Sequence, residues 1–136
     1  MTLFFDGGSR GNPGISGCGY VLTDMHAVVL REGYKFIGPS STCNQAEYAG
    51  VLMGIDRAVH EGCTALYIRG DSKLVINQLA GTYQVRHPNL KPLFAQCANA
   101  LSRIPVVQFK HIPREKNSHA DRLANIAMDT RTSSVM

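Results

Sequence analysis

The chain has 136 residues, 44% of them hydrophobic and 18% charged, which suits one compact domain with a sizeable core and excludes a disordered chain. Fourteen Lys and Arg against ten Asp and Glu leave a net charge of +4, a mild basic excess that suits an anionic partner such as nucleic acid without specifying one. No segment approaches the roughly 20 apolar residues of a membrane helix, and the opening MTLFFDGG lacks the basic and apolar regions of a signal peptide.

In chain order, residues 2–5 form a short apolar run that reads as a strand ending at Asp6. The cluster GGSRGNPG that follows reads as a loop. Residues 17–23 and 27–36, rich in Val, Leu and Tyr, read as two more strands joined near 24–26, so the first third is expected to be an antiparallel meander. The period then changes. Tyr48, Leu52, Ile55 and Val59 recur at helical spacing, which predicts a helix from Gln45 to about Glu61 stopped by Gly62. Gly50 and Gly54 would weaken that helix in isolation and are expected to allow close packing on a sheet. A strand over 65–69, a short helix over 72–79, the connector GTYQVRHPN, a helix over 90–101, a strand over 106–112 and an amphipathic helix carrying Ala120, Leu123, Ala124, Ala127 and Met128 complete the order. Strands separated by helices favour parallel pairing. The expected architecture is an α/β mixed five-stranded sheet, three antiparallel strands then two parallel, flanked by helices. One domain over 1–129 is expected, with a flexible tail over 130–136.

The cysteines, Cys18, Cys43, Cys63 and Cys97, show neither a CxxC pair nor zinc-ligand spacing. They read as reduced thiols, and a cytoplasmic location is expected.

Four acids sit at element junctions: Asp6 at the end of the first strand, Glu47 in the first turn of the long helix, Asp71 directly after the fourth strand and Asp121 in the first turn of the last helix. Each has a local alternative. Asn44-x-x-Glu47 and Ser118-x-x-Asp121 read as capping boxes, Asp71 as a cap, and Asp6 as a turn residue before Gly7 and Gly8. Their conjunction points elsewhere. If the first and fourth strands are neighbours, Asp6 and Asp71 converge beyond the sheet edge, where open α/β sheets place their sites. Four converging carboxylates repel unless cations neutralise them. Oxygen-only ligation suits Mg²⁺ or Mn²⁺, and two such ions can serve phosphodiester hydrolysis without a side-chain nucleophile. There is no GxSxG, GxGxxG or P-loop.

From Thr2 to about Met128 the chain resembles type I ribonuclease H. The resemblance rests on LFFDGGSRGNPG (3–14), TCNQAE (42–47), IRGDS (68–72) and HIPREKNSHADRLAN (111–125). It implies a ribonuclease H-like fold and an endoribonuclease that cuts the RNA strand of an RNA–DNA hybrid with two Mg²⁺ ions, leaving 5′-phosphate and 3′-hydroxyl ends. It also implies that Asp6, Glu47, Asp71 and Asp121 hold the metal, and that His111 is the loop histidine assisting proton transfer or product release, with His119 as its rival. Asn12, Asn44 and Gln45 match contacts to the RNA strand, where a 2′-hydroxyl needs groups that donate and accept. Thr42 and Asn89 match a phosphate pocket for the DNA strand.

Two departures stand out. Cys43 occupies a position where the family often has Asn. The basic, Trp-containing protrusion of many members is replaced by GTYQVRHPN, and the chain has no Trp, as in the handle-less branch of archaeal, plant-like and reverse-transcriptase domains. Arg10, Lys73, Arg86, Lys91 and Arg114 are candidates to compensate. A monomer is expected. The alternative is a reverse-transcriptase domain or hybrid-binding module with little activity alone.

Overall fold

The structure is a computed structural model that describes residues 1–134. Five strands form one sheet: β1 (Thr2–Arg10), β2 (Gly14–Thr23), β3 (Val29–Ser41), β4 (Ala65–Gly70) and β5 (Val106–His111). Four helices flank it: α1 (Cys43–His60), α2 (Lys73–Leu79), α3 (Lys91–Leu101) and α4 (Ser118–Thr130). The strand order is β3-β2-β1-β4-β5. The β1–β2 and β2–β3 pairs are antiparallel, and the β1–β4 and β4–β5 pairs parallel, so the expected mixed sheet is the one observed.

Packing follows from the two-residue period of strands. Leu3 and Phe5 of β1, Tyr20 and Leu22 of β2, and Leu66 and Ile68 of β4 are essentially fully buried, together with Tyr48, Val51 and Ile55 of α1. Burying side chains of this size stabilises by about 1.5–3 kcal/mol each. α4 packs mainly on β2, with smaller contacts to β1 and β3. Its buried face is Ala120, Ala124, Ala127 and Met128. β2 is therefore covered on both sides, and the residues from Ser16 to Thr23 are all buried. Gly54 has the expected role. A Cβ there would lie 2.2 Å from Leu3 Cδ1, so the bare backbone lets α1 settle on β1.

Several boundaries differ from the sequence-based expectation. β1 does not end at Asp6. It continues through GGSR to Arg10, because this half pairs antiparallel with β2 from Gly7↔Cys18 to Arg10↔Ile15. Only residues 11–13 turn. Glycine-rich sequence has poor strand propensity, and pairing with a central strand overrides it. β3 reaches Ser41 and accommodates Pro39, as an edge strand can. The tail expected over 130–136 is described as far as Ser134. Thr130 closes α4. Ser133 and Ser134 hydrogen-bond the edge of β3: Tyr34 N–H donates to Ser134 Oγ at 2.9 Å, Ser134 N–H to the Tyr34 carbonyl at 2.9 Å, and Phe36 N–H to Ser133 Oγ at 3.1 Å. An edge strand leaves such groups free to pair. Residues 135 and 136 of that tail lie outside the described residues. Among the described residues, no helix is long and apolar enough to cross a membrane.

Candidate active site

Parallel pairing of β1 with β4 ends at Phe5↔Gly70. The next residues, Asp6 and Asp71, therefore leave adjacent strands at one level. Beyond it β1 continues beside β2 alone, while the chain after Gly70 turns towards α2. α1 starts over this opening. A Cβ at Gly7 would lie 2.3 Å from the Ala46 carbonyl carbon and 2.4 Å from the Glu47 nitrogen. The absence of a side chain at Gly7 therefore seats Glu47 against β1. One oxygen each of Asp6, Glu47 and Asp71 lies within 4.8 Å of the others. Asp121, in the first turn of α4, lines the same cleft but is not part of that close trio. All four acids line one cleft of about 600 Å³, with His111, Asn44, Cys43, Arg10 and Arg114 among its other walls.

The local alternatives for these acids are not realised. α1 is capped by Thr42, whose hydroxyl accepts from Gln45 N–H, while the Gln45 side chain accepts from Thr42 N–H. Glu47 is thereby free of capping. Ser72, not Asp71, caps α2 through Val75 N–H. Asn117 occupies the N-cap of α4, and neither Ser118 nor Asp121 forms a capping box there. Asp6 does accept from Gly7 N–H at 2.9 Å.

Electrostatics show what the arrangement lacks. Asp6 and Glu47 are only 7% and 8% exposed. Burial first, and then the charge of Asp71, push the Asp6 carboxyl up to about 7. Burial and then the charge of Asp6 hold Glu47 well above the usual carboxylate range. Glu47 Oε2 is buried without a hydrogen-bond partner, a state that costs about 1–3 kcal/mol or more for a charged group. Clustered, desolvated carboxylate oxygens with one orphaned acceptor fit a hard divalent cation, which needs oxygen ligands and supplies the missing positive charge.

The other expected residues divide. His111 is exposed at the rim, its Nε2 3.2 Å from the Asp71 carbonyl oxygen. His119 instead pairs with Glu32 at 2.6 Å, off the cleft. Asn44 lines the cleft. Asn12 sits just outside it, accepting from Cys43 N–H at 3.0 Å and so tying the turn after β1 to the start of α1. Thr42 and Gln45 are joined in the capping box. Asn89 lies in the connector before α3, its N–H on His87 Nδ1, and does not line the cleft. Of the basic candidates, Arg10 is engaged by Asp129 at 2.6 Å and by Asn125 at 3.1 Å. Arg114 reaches the cleft, whereas Lys73, Arg86 and Lys91 do not line it.

Sequence reasoning missed Asn117. It is 2% exposed. Its Nδ2 donates to the Phe5 carbonyl at 2.8 Å and lies 3.5 Å from Asp71 Oδ1. The available signal was an Asn directly before a helix start, within a motif already singled out for Asp121.

The model of the family described as "Reverse transcriptase-like" matches residues 4–127, and the chain belongs to that ribonuclease H-like family. It is 45% identical over 135 residues to the bifunctional protein Rv2228c of Mycobacterium tuberculosis, covering 98% of this chain but 37% of that protein. The solved N-terminal RNase H domain of Rv2228c superposes with a TM-score of 0.92 at 42% identity, covering 95% of this chain and 93% of that one. Ribonuclease HI of Halobacterium salinarum is 37% identical over 129 residues, 95% of this chain and 64% of its own length. LC11-RNase H1, isolated from compost and solved in complex with an RNA/DNA hybrid, gives a TM-score of 0.90 at 38% identity, with 96% and 97% covered.

Proposed function

We propose that this chain hydrolyses the RNA strand of RNA–DNA hybrids, using two Mg²⁺ or Mn²⁺ ions and leaving 5′-phosphate and 3′-hydroxyl products. The observation that carries this reading is the convergence of Asp6, Glu47 and Asp71 oxygens within 4.8 Å, with the Glu47 Oε2 atom buried and unpartnered. Relatives of the same fold are named ribonuclease HI, and one has been solved on a hybrid.

Asp6, Glu47, Asp71 and Asp121 would hold the ions. When bound, divalent ions supply charge neutralisation at the phosphate and acidify water. The protein's own part is positioning. Asp6 lies with Glu47 and Asp71 and would hold the ions together with them. His111 stands at the rim, where a proton or a departing product passes. Asn44 faces the cleft and can both donate to and accept from a 2′-hydroxyl. Asn12, Thr42 and Gln45 support it by fixing the start of α1, whose free N–H groups favour phosphate. Asn89 is assigned an outlying contact with the DNA strand. All four acids come from one chain, which suits a monomer. Three buried cysteines and a half-buried Cys43 suit a reducing, cytoplasmic setting.

The test is a strand-specific digest. A hybrid labelled on either strand, incubated with purified chain and Mg²⁺, should lose only the RNA, and EDTA should stop it. Cutting of the DNA strand, or cutting that EDTA leaves intact, refutes the proposal. A second reading is favoured by the fact that the chain spans 37% of Rv2228c: the same site working as one domain of a longer protein, with little activity by itself. No cleavage by the isolated chain, despite normal hybrid binding, would favour it.

A further inference from the structure

Asn117 stands at the N-cap of α4 with φ −119° and ψ 24°, yet its side chain makes no capping bond. Asn at this position ordinarily accepts from the helix's free N–H groups. Here the amide turns inward and spans two strands. Nδ2 donates to the carbonyl of Phe5, the residue before Asp6, at 2.8 Å, and lies 3.5 Å from Asp71 Oδ1. Oδ1 is buried without a partner. The amide cannot be reversed to relieve this, because its oxygen would then face the Phe5 carbonyl, which only accepts.

Three features coincide: an unused cap, an orphaned oxygen and a donor aimed at the strand ends that carry two acids. Helix stability is served by none of them. The level at which Asp6 and Asp71 emerge is set by the last β1–β4 pair, Phe5↔Gly70. The Asn117 amide grips the Phe5 side of that pair and faces Asp71 beyond its other side, from the N-cap of α4, the same helix that brings in Asp121. Resting on the metal-site reading above, we propose that Asn117 is a positioning residue that locks Asp71 and the Asp6 backbone into the arrangement that binds the divalent ions. Its partners are the backbone carbonyl just before Asp6 and the carboxylate of Asp71, and groups that orient ligands in this way commonly govern affinity by 10- to 100-fold.

The test separates positioning from ordinary structural support. Asn117→Ser removes the long donor but supplies a hydroxyl suited to capping α4. It should therefore keep or raise Tm while weakening Mg²⁺ and Mn²⁺ binding by about tenfold or more, read by titration calorimetry on the protein without nucleic acid. Asn117→Ala should weaken binding likewise and lower Tm. Tyr48→Phe is the control. It deletes another buried hydrogen bond, Tyr48 Oη to Gln78 Oε1 at 2.6 Å, away from the cleft, and should lower Tm with ion affinity unchanged. Wild-type affinity in folded Asn117→Ser, or an equal loss in Tyr48→Phe, overturns the proposal. So does a wild-type chain that binds no divalent ion. Lost ion binding in the Asn117 variants of a chain that fails to cut hybrids would uphold the positioning role and defeat only the nuclease reading.

Discussion

Asp6 and Asp71 each follow one half of the last parallel register pair between β1 and β4, Phe5↔Gly70, so two acids 65 positions apart in sequence emerge side by side. If both hold the same ions, neither has a substitute. Asp6→Asn and Asp71→Asn keep the shape of the side chain and remove the charge. Losing the metal forfeits several kcal/mol of transition-state stabilisation, and each 1.36 kcal/mol is tenfold in rate. Cleavage should fall by about 10³-fold or more, while hybrid affinity measured in EDTA stays within a few-fold. Full cleavage by either variant would defeat the site assignment.

The raised carboxyls set the sign of a pH effect. Asp6 titrates near 7 in the folded protein against 3.8 as its ordinary value, and Glu47 is raised in the same direction. The native state therefore binds more protons than the unfolded chain across this window, and stability falls as pH rises from about 4 through 7. In EDTA, Tm should drop by several degrees between pH 4.5 and 7.5. Mg²⁺ should reverse the drop at pH 7.5 and have little effect at pH 4.5, because ion and proton compete for the same oxygens. The same competition makes cleavage rise with pH towards the alkaline side. A Tm that increases between pH 4.5 and 7.5 in EDTA contradicts this account.

Glu47, Asp71 and Asp121 were legible as candidates because they fall at helix starts or just after a strand, where local signals are strong; Asp6, expected at a strand end, lies inside β1 where its pairing with β4 stops. What sequence could not rank was their local use. Asn44-x-x-Glu47 matches a capping box as well as Thr42-x-x-Gln45 does, yet only the latter forms. The difference lies in where α1 lands on β1, which is a tertiary fact. The second half of β1 was hidden for a similar reason: GGSR has no strand propensity and is ordered by β2. Sequence reading passes over Asn117 and takes Ser118 as the cap of that helix, because the partner Phe5 is 112 residues away. The bonds of Ser133 and Ser134 to β3 likewise depend on an edge that no local pattern announces.

Gly7 is where fold and site are most tightly joined. An added methyl would sit 2.3 Å from the backbone of Ala46 and 2.4 Å from that of Glu47, and neither atom belongs to a flexible side chain. Gly7→Ala must push α1 off β1. Overpacking of this kind costs about 1–3 kcal/mol, occasionally more. Glu47 would be displaced with the helix. The variant should show a lower Tm and at least tenfold weaker Mg²⁺ binding together. Gly62→Ala, at a position with open space but φ +73°, should lower Tm and leave ion binding unchanged. Normal Mg²⁺ affinity in Gly7→Ala would mean that α1 does not set the Glu47 position.

His111 poses the sharpest question about chemistry as distinct from metal binding. It ends β5 at the rim of the cleft, is exposed, and meets the Asp71 carbonyl at 3.2 Å. That contact is to backbone, so removing the ring leaves every carboxylate oxygen in place. If His111 moves a proton or helps product leave, His111→Ala should lower kcat by about 10²-fold, the lower range for a general acid or base. KM for the hybrid and the Mg²⁺ concentration for half-maximal rate should stay within a few-fold of wild type. His119→Ala, whose ring pairs with Glu32 away from the cleft, should keep wild-type kcat. A fall in kcat for His119→Ala alone would transfer the role to His119; an unchanged kcat in both variants would leave the reaction to the carboxylates and their ions.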